Sequence, residues 1–223
     1  MRDKITRGWC GLSTYAIVPV RVLSAAKTRL ARVLNQKQRA ALSLAMLSDV
    51  LDALRRTKEV GSIVLVTRDI NAARLGIAKR ARVLSEGRPH GLNPALRTGI
   101  RFAEREGAKR VLIVPADVPL AKPEDFRRIL RAGRKTSALI VPSYDRGGTN
   151  ALLLRPPSIM PISYGRNSFK RHCRLARKKG LRPRILKARS LELDVDTPFD
   201  LRRIRLAAGN TRSQKLLRRG LGY

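Results

Sequence analysis

The sequence predicts an α/β fold in which a mostly parallel, doubly wound sheet carries helices on both faces. Three observations predict it. Short apolar runs alternate with stretches of helical periodicity over most of the chain. The runs Ser62–Thr67 (SIVLVT) and Arg110–Val114 (RVLIV) are continuous, as in strands buried on both faces. At 223 residues, 43% of them apolar, the chain can build one core, and with 4% aromatics that core is mostly aliphatic. No internal repeat or linker interrupts the pattern. One domain over residues 1–223 is expected, with a core of about 15–208 and basic extensions at both ends.

The elements follow in order. Tyr15–Val20 (YAIVPV) is a buried strand stopped by Arg21. Ser24–Arg32 is polar and basic, and reads as a loop. Asn35 can cap a helix to about Arg56, with Leu42, Met46, Val50 and Leu54 along one stripe. Ser62–Thr67 is the second strand, residues 70–80 a helix, and Arg82–Leu84 a weak third strand. Gly87–Pro94 (GRPHGLNP) is a turn-rich loop. A helix then starts near Asn93 and Pro94, as cap and first-turn proline, and ends before Gly107. Arg110–Val114 is the clearest strand. Pro123–Ala132 is a helix, Ala138–Pro142 a strand, and Ala151–Leu154 returns to the sheet after a glycine turn. Ser168–Lys179 is a basic helix and Arg184–Leu186 is weakly strand-like. Thr197 and Pro198 open a last helix to about Ala208, and the basic tail after Gly209 reads as frayed.

With 49 Lys and Arg against 16 Asp and Glu, the net charge is +33, which points to an anionic substrate or a polyanionic partner. The apolar content excludes a disordered polycation. Cys10 and Cys173 have neither disulfide-framework nor zinc spacing. No apolar run reaches the roughly 20 residues of a membrane span, and the first residues lack a signal-peptide core. A cytoplasmic protein is expected.

In doubly wound sheets, ligands bind beyond the carboxyl ends of the strands. After Tyr15–Val20 come Arg21, Lys27 and Arg29, close enough to hold a phosphate chain or simply to be solvated. After Arg110–Val114 comes PADVPL, where Asp117 is the only acid between Gly107 and Pro123. A carboxylate there suits Mg²⁺, which takes one or two carboxylates plus substrate phosphates; a turn-stabilising role is the alternative. Asp194 and Asp196 in LELDVD share one face if extended, and need a cation or a basic side chain between them. The glycines of DRGGTN (145–150) permit close backbone approach and Thr149 offers a hydroxyl, although a plain hairpin turn has the same signature. Gly165 and Ser168 in YGRNSF begin the basic helix, where free amides favour an anion or a serine merely caps. His90 and His172 have no spacing for nucleophilic catalysis.

Taken together, KTRL (27–30), HGLNPAL (90–96), PADVPL (115–120), DRGGTNALLLRP (145–156), YGRNSF (164–169) and LDVDTPFDL (193–201) resemble the 2-phospho-L-lactate guanylyltransferase family of coenzyme F420 biosynthesis. The resemblance runs from about Tyr15 to Ile204, leaving Met1–Thr14 and the tail after Ala208 outside it. It implies a Rossmann-like sheet of the glycosyltransferase-A nucleotidyltransferase type. It also implies a reaction: GTP and a phosphorylated three-carbon acid give pyrophosphate and a guanylylated product. The first-choice acceptor is 2-phospho-L-lactate, with phosphoenolpyruvate or 3-phosphoglycerate as alternatives. By similarity, Asp117, Asp194 and Asp196 hold Mg²⁺, and Thr149, Gly165 and Ser168 bind the phospho-acid. Lys27 and Arg29 offset charge on the leaving pyrophosphate. Arg21, Lys27 and the loop of Gly91, Leu92 and Asn93 bind GTP, with Arg21 standing where relatives often have Lys. A homodimer is expected.

The competing reading is a nucleic-acid-binding module. Residues 146–191 contain 13 Lys and Arg and no acids, but only Tyr164 and Phe169 as stacking platforms. Contact with nucleic acid is therefore expected to be nonspecific at most.

Overall fold

The computed structural model describes residues 13–85 and 91–219. Cys10, His90, most of the first fourteen residues and the loop positions 87–90 lie outside the described residues.

Seven strands form one sheet: β1 (Thr14–Val20), β2 (Ser62–Thr67), β3 (Arg82–Ser85), β4 (Arg110–Ile113), β5 (Ala138–Pro142), β6 (Thr149–Leu154) and β7 (Arg184–Ile185). Their order is β3-β2-β1-β4-β6-β5-β7. Every neighbour pair is parallel except those of β6, which runs antiparallel to both β4 and β5. The strand order reverses between β1 and β4, so a crevice opens beyond their carboxyl ends.

The period of two along β1 explains the layering. Ala16, Val18 and Val20 face one core layer, and Tyr15 and Ile17 face the other. The first layer is covered by α1 (Gln36–Arg55), α2 (Ile70–Ala78), α4 (Pro123–Ala132) and the short α6 (Arg189–Glu192). The second is covered by α3 (Leu92–Arg105) and α5 (Ser168–Lys178). α3 lies close on β1 because Gly99 has no side chain: a Cβ there would stand 2.7 Å from Ile17 Cγ2.

A third cluster contains no strand residue. Leu30 and Leu34 pack with Leu42 and Met46 of α1, with Leu193 and Val195, and with Leu201 and Ile204 of α7 (Pro198–Leu206). This cluster fixes two chemically important segments, the basic loop after β1 and the acidic stretch 193–196, against the same helix.

Asn35 caps α1 with a reciprocal bond to Gln38, as the sequence indicates. Four expectations change. Residues 24–32 are not plain loop: Leu23–Ala25 and Thr28–Leu30 form 3-10 turns, with Lys27 between them in the left-handed region (φ 56°). α3 begins at Leu92 with Gly91 as its cap, because the Asn93 side chain is spent on Tyr164 instead. Asp194 and Asp196 lie on an unpaired segment rather than a sheet strand. Finally, the tail is ordered over its described residues, up to Arg219. It forms α8 (Arg212–Arg218), with a Thr211/Gln214 capping box. Asp49 of α1 accepts from the backbone N–H groups of Arg212 and Ser213 and from the Ser213 hydroxyl. Among the described residues no helix is long and apolar enough to cross a membrane.

Candidate active site

Two strand ends and one unpaired segment build the site. Lys27 comes from the loop after β1, Asp117 from the PADVPL turn after β4, and Asp196 from the segment ahead of α7. The Lys27 Nζ donates to Asp117 Oδ2 at 2.6 Å and to Asp196 Oδ1 at 2.9 Å. Burial alone would drive this ammonium toward its neutral form. The two carboxylates outweigh burial, and its pKa lies above the ordinary lysine value. The loop that presents Lys27 is anchored at its start, where the Leu23 N–H donates to Asp69 Oδ2 at the α2 cap. The Asp117 carbonyl accepts from the Val195 N–H at 3.1 Å, tying the two acidic segments together. Asp196 in turn donates its N–H to Asp200, which also closes the Thr197 cap of α7.

A cavity of about 380 Å³ opens beside this cluster at the β1/β4 switch point. Its wall includes Arg21, Lys27, Arg29, Leu92, Asp117 and Asp196, six of the twelve residues singled out from the sequence. Arg29 is peripheral to the ion cluster: its side chain is 75% exposed and stands 3.9 Å from Asp196 Oδ2. Asp194 lies alongside. Its carboxylate accepts from Asn150 Nδ2 at 3.1 Å, and that same amide donates to the carbonyls of Leu191 and Glu192. Burial, then the neighbouring Asp117 charge, push the Asp194 pKa up to about 6 against the pull of Asn150.

The Lys27 ammonium and the peripheral Arg29, against three carboxylates, leave this corner short of positive charge. That deficit suits a divalent cation. Among the described residues no three or more ligating side chains converge as a ready-made metal cage. Mg²⁺ does not require one, since it takes one or two carboxylates with water and phosphate oxygens completing its shell.

Thr149 and Ser168 form a second group. Ser168 Oγ donates to Thr149 Oγ1 at 3.3 Å, and both are buried. A bulge in β6 brings this about. Alternation from Ala151 and Leu153 would turn Thr149 toward the α6 side, but the register shifts between Val141 and Pro142, and Thr149 turns to α5 instead. Asn150 points the other way, to Asp194, so consecutive residues serve the two groups. Gly165 closes the turn before α5 at φ 113°, where a side chain would be strained and its Cβ would stand 3.1 Å from Arg171 Nη2. Asn93 holds the turn before α5 from the α3 side: its amide donates to the Tyr164 carbonyl at 3.1 Å and accepts from the Tyr164 N–H at 2.8 Å.

Asn150 and His172 are the residues sequence reasoning missed. The only local signal for Asn150 was its place at the end of DRGGTN. The basic stretch 146–191 offers no stacking platform, because Tyr164 is buried and Phe169 packs on the core.

Residues 14–223 match the family described as "Guanylyl transferase CofC like". The chain belongs to this family. The match reaches past Ala208, so the tail is within the family pattern rather than an addition to it. The chain is 42% identical over 202 residues to a phosphoenolpyruvate guanylyltransferase of Rubrobacter xylanophilus, covering 89% of this chain and 96% of the relative. It is 35% identical over 208 residues to a 2-phospho-L-lactate guanylyltransferase of Methanothermobacter thermautotrophicus, covering 93% and 91%. Among solved structures, a nucleotidyl transferase from Methanothermobacter superposes with a TM-score of 0.67 at 18% identity, covering 94% of this chain and all of the other. At that identity the likeness concerns the fold, which is the glycosyltransferase-A type of nucleotidyltransferase sheet.

Proposed function

We propose that this protein transfers the guanylyl group of GTP to the phosphate of 2-phospho-L-lactate, or of phosphoenolpyruvate, in coenzyme F420 biosynthesis. The observation that carries this reading is the Lys27 ammonium between Asp117 and Asp196 at the switch-point cavity, in a chain of this family. An acceptor phosphate oxygen attacks the α-phosphorus of GTP. The bond to the β-phosphate bridging oxygen breaks, and pyrophosphate leaves with that electron pair. The attacking oxygen is already ionised near neutral pH, so the step needs no general base. This agrees with a site built of cations and carboxylates.

The main obstacle is repulsion between two phosphorylated reactants, and fixed positive charge relieves it. In this reading Lys27 and Arg29 meet the leaving phosphates, and Arg21 with the Gly91, Leu92 and Asn93 turn binds the nucleotide; that Arg21, Lys27, Arg29 and Leu92 line one cavity supports it. In this reading Asn93 acts through its backbone and its hold on Tyr164, since its amide is already engaged. Thr149, Gly165 and Ser168 take the phospho-acid. Of Asp117, Asp194 and Asp196, one or two at a time would hold Mg²⁺, with phosphate oxygens and water completing its shell, and the ion would supply charge neutralisation at the phosphates.

Between the two acceptors, the higher identity belongs to the phosphoenolpyruvate relative, which favours that acid. Both acids carry a carboxylate and a phosphate on C2, and they differ in whether that carbon is planar. Initial rates with 2-phospho-L-lactate, phosphoenolpyruvate and 3-phosphoglycerate, side by side, decide between them. Pyrophosphate release with none of the three overturns the reading. A homodimer belongs to the same proposal: α7 leaves Phe199 and Leu206 exposed, at 67% and 80%, as an apolar surface for it. Light scattering that gives a monomer mass removes that part.

A further inference from the structure

His172 is fully buried on α5, has no charged partner, and plays no part in the transfer step described above. Its two ring nitrogens are both occupied. Nε2 lies 2.9 Å from the backbone nitrogen of Ser163, and Nδ1 lies 3.0 Å from Thr149 Oγ1. A backbone N–H can only donate, so Nε2 must present its lone pair. Burial, with Arg171 nearby, holds the ring neutral down to about pH 4. The single ring proton of a neutral imidazole therefore sits on Nδ1, and Nδ1 donates to Thr149. The Tyr164 ring packs edge-on against the imidazole, with centroids 4.8 Å apart.

This fixes the hydrogen count of the hydroxyl pair. Thr149 and Ser168 bring two hydroxyl hydrogens and share one bond between them. If the imidazole accepted, it would consume the second. Because it donates, one hydroxyl hydrogen remains, and among the described residues no acceptor takes it. We infer that His172 is a positioning residue: held in one tautomer by the Ser163 N–H, it makes the Thr149/Ser168 pair a donor to an oxyanion of the acid substrate. The inference rests on the reading that this pair binds the phospho-acid.

Two near-isosteric variants separate the roles of the ring nitrogens. His172→Asn keeps an amide where Nδ1 stood and can still donate to Thr149. His172→Gln keeps one where Nε2 stood and serves Ser163 only. Steady-state kinetics on the full chain would give KM for the acid, KM for GTP and kcat, with Thr149→Val as the control for the underlying reading. The expected result is an acid KM raised about tenfold in His172→Gln and in Thr149→Val, with His172→Asn within about twofold of wild type and KM for GTP unchanged throughout. If Thr149→Val raises the acid KM but His172→Gln does not, or if Asn is the worse of the two, the positioning role is wrong. If Thr149→Val leaves the acid KM unchanged, the acid does not bind at this pair and the inference falls with that reading.

Discussion

Lys27 and Asp117 are ninety positions apart in sequence and 2.6 Å apart in the fold, and their contact joins the ends of the two strands at which the sheet changes direction. The apolar cluster around Leu30, Leu34 and Val195 holds the loop and the 193–196 segment against α1, and the Val195 N–H bond to the Asp117 carbonyl ties in the turn after β4. Asp196, on the far side of the ammonium, makes the arrangement a bridge rather than a pair.

Removing the bridge leaves two carboxylates facing each other with no cation between them. Lys27→Ala is expected to lower kcat/KM for GTP by about a hundredfold or more, since a fixed charge aimed at the phosphates is lost. Lys27→Arg keeps the charge but not the compact head that fits between the acids, and recovers only part of the rate. Pyrophosphate release measured at several GTP concentrations checks both.

Asn150 holds Asp194 and two backbone carbonyls with one amide. Asn150→Ala strands these acceptors. It is expected to cost about 1–3 kcal/mol of stability and to lower activity, because Asp194 loses its tether. Urea denaturation monitored by circular dichroism gives the first number and an initial-rate assay the second.

His172 makes stability depend on pH in a defined window. Its folded pKa is depressed from 6.5 to about 4, so between those values the unfolded chain binds a proton that the folded chain does not. Its contribution is complete above about pH 6.5, declines as pH falls, and is lost near pH 4. The full gap corresponds to at most about 3 kcal/mol. His172→Asn should flatten this part of the curve of unfolding free energy against pH.

The tail helix is a structural element. Asp49→Ala removes the acceptor for three donors at the start of α8, and is expected to cost about 1 kcal/mol with kcat for the transfer unchanged. Differential scanning calorimetry together with the rate assay tests the separation.

Strands with continuous apolar runs, such as Ser62–Thr67, were legible because burial on both faces leaves no polar positions to confuse the pattern. Asp117 was legible because acids are scarce around it. The partner of Asp196 was not, since 169 residues separate it from Lys27 and only the fold brings them together. The direction of Thr149 was hidden for another reason: a single bulge reverses the face on which the side chain lies, and no residue type marks it. α8 carried a readable signal in Thr211 and Gln214, a capping-box spacing, outweighed by the basic composition around it. His172 looked inert because its function, if it positions Thr149, depends on which nitrogen bears the proton rather than on a spacing.

The most direct test of the account is mass spectrometry of the product formed from GTP, Mg²⁺ and an equimolar mixture of 2-phospho-L-lactate, phosphoenolpyruvate and 3-phosphoglycerate. The account predicts a species in which GMP is joined to one of the 2-phospho acids through a diphosphate, with an equal amount of pyrophosphate. That species should be absent with EDTA and with Asp117→Asn. GTP left intact by the wild-type protein, or the same product formed at an unchanged rate by Asp117→Asn, would contradict it.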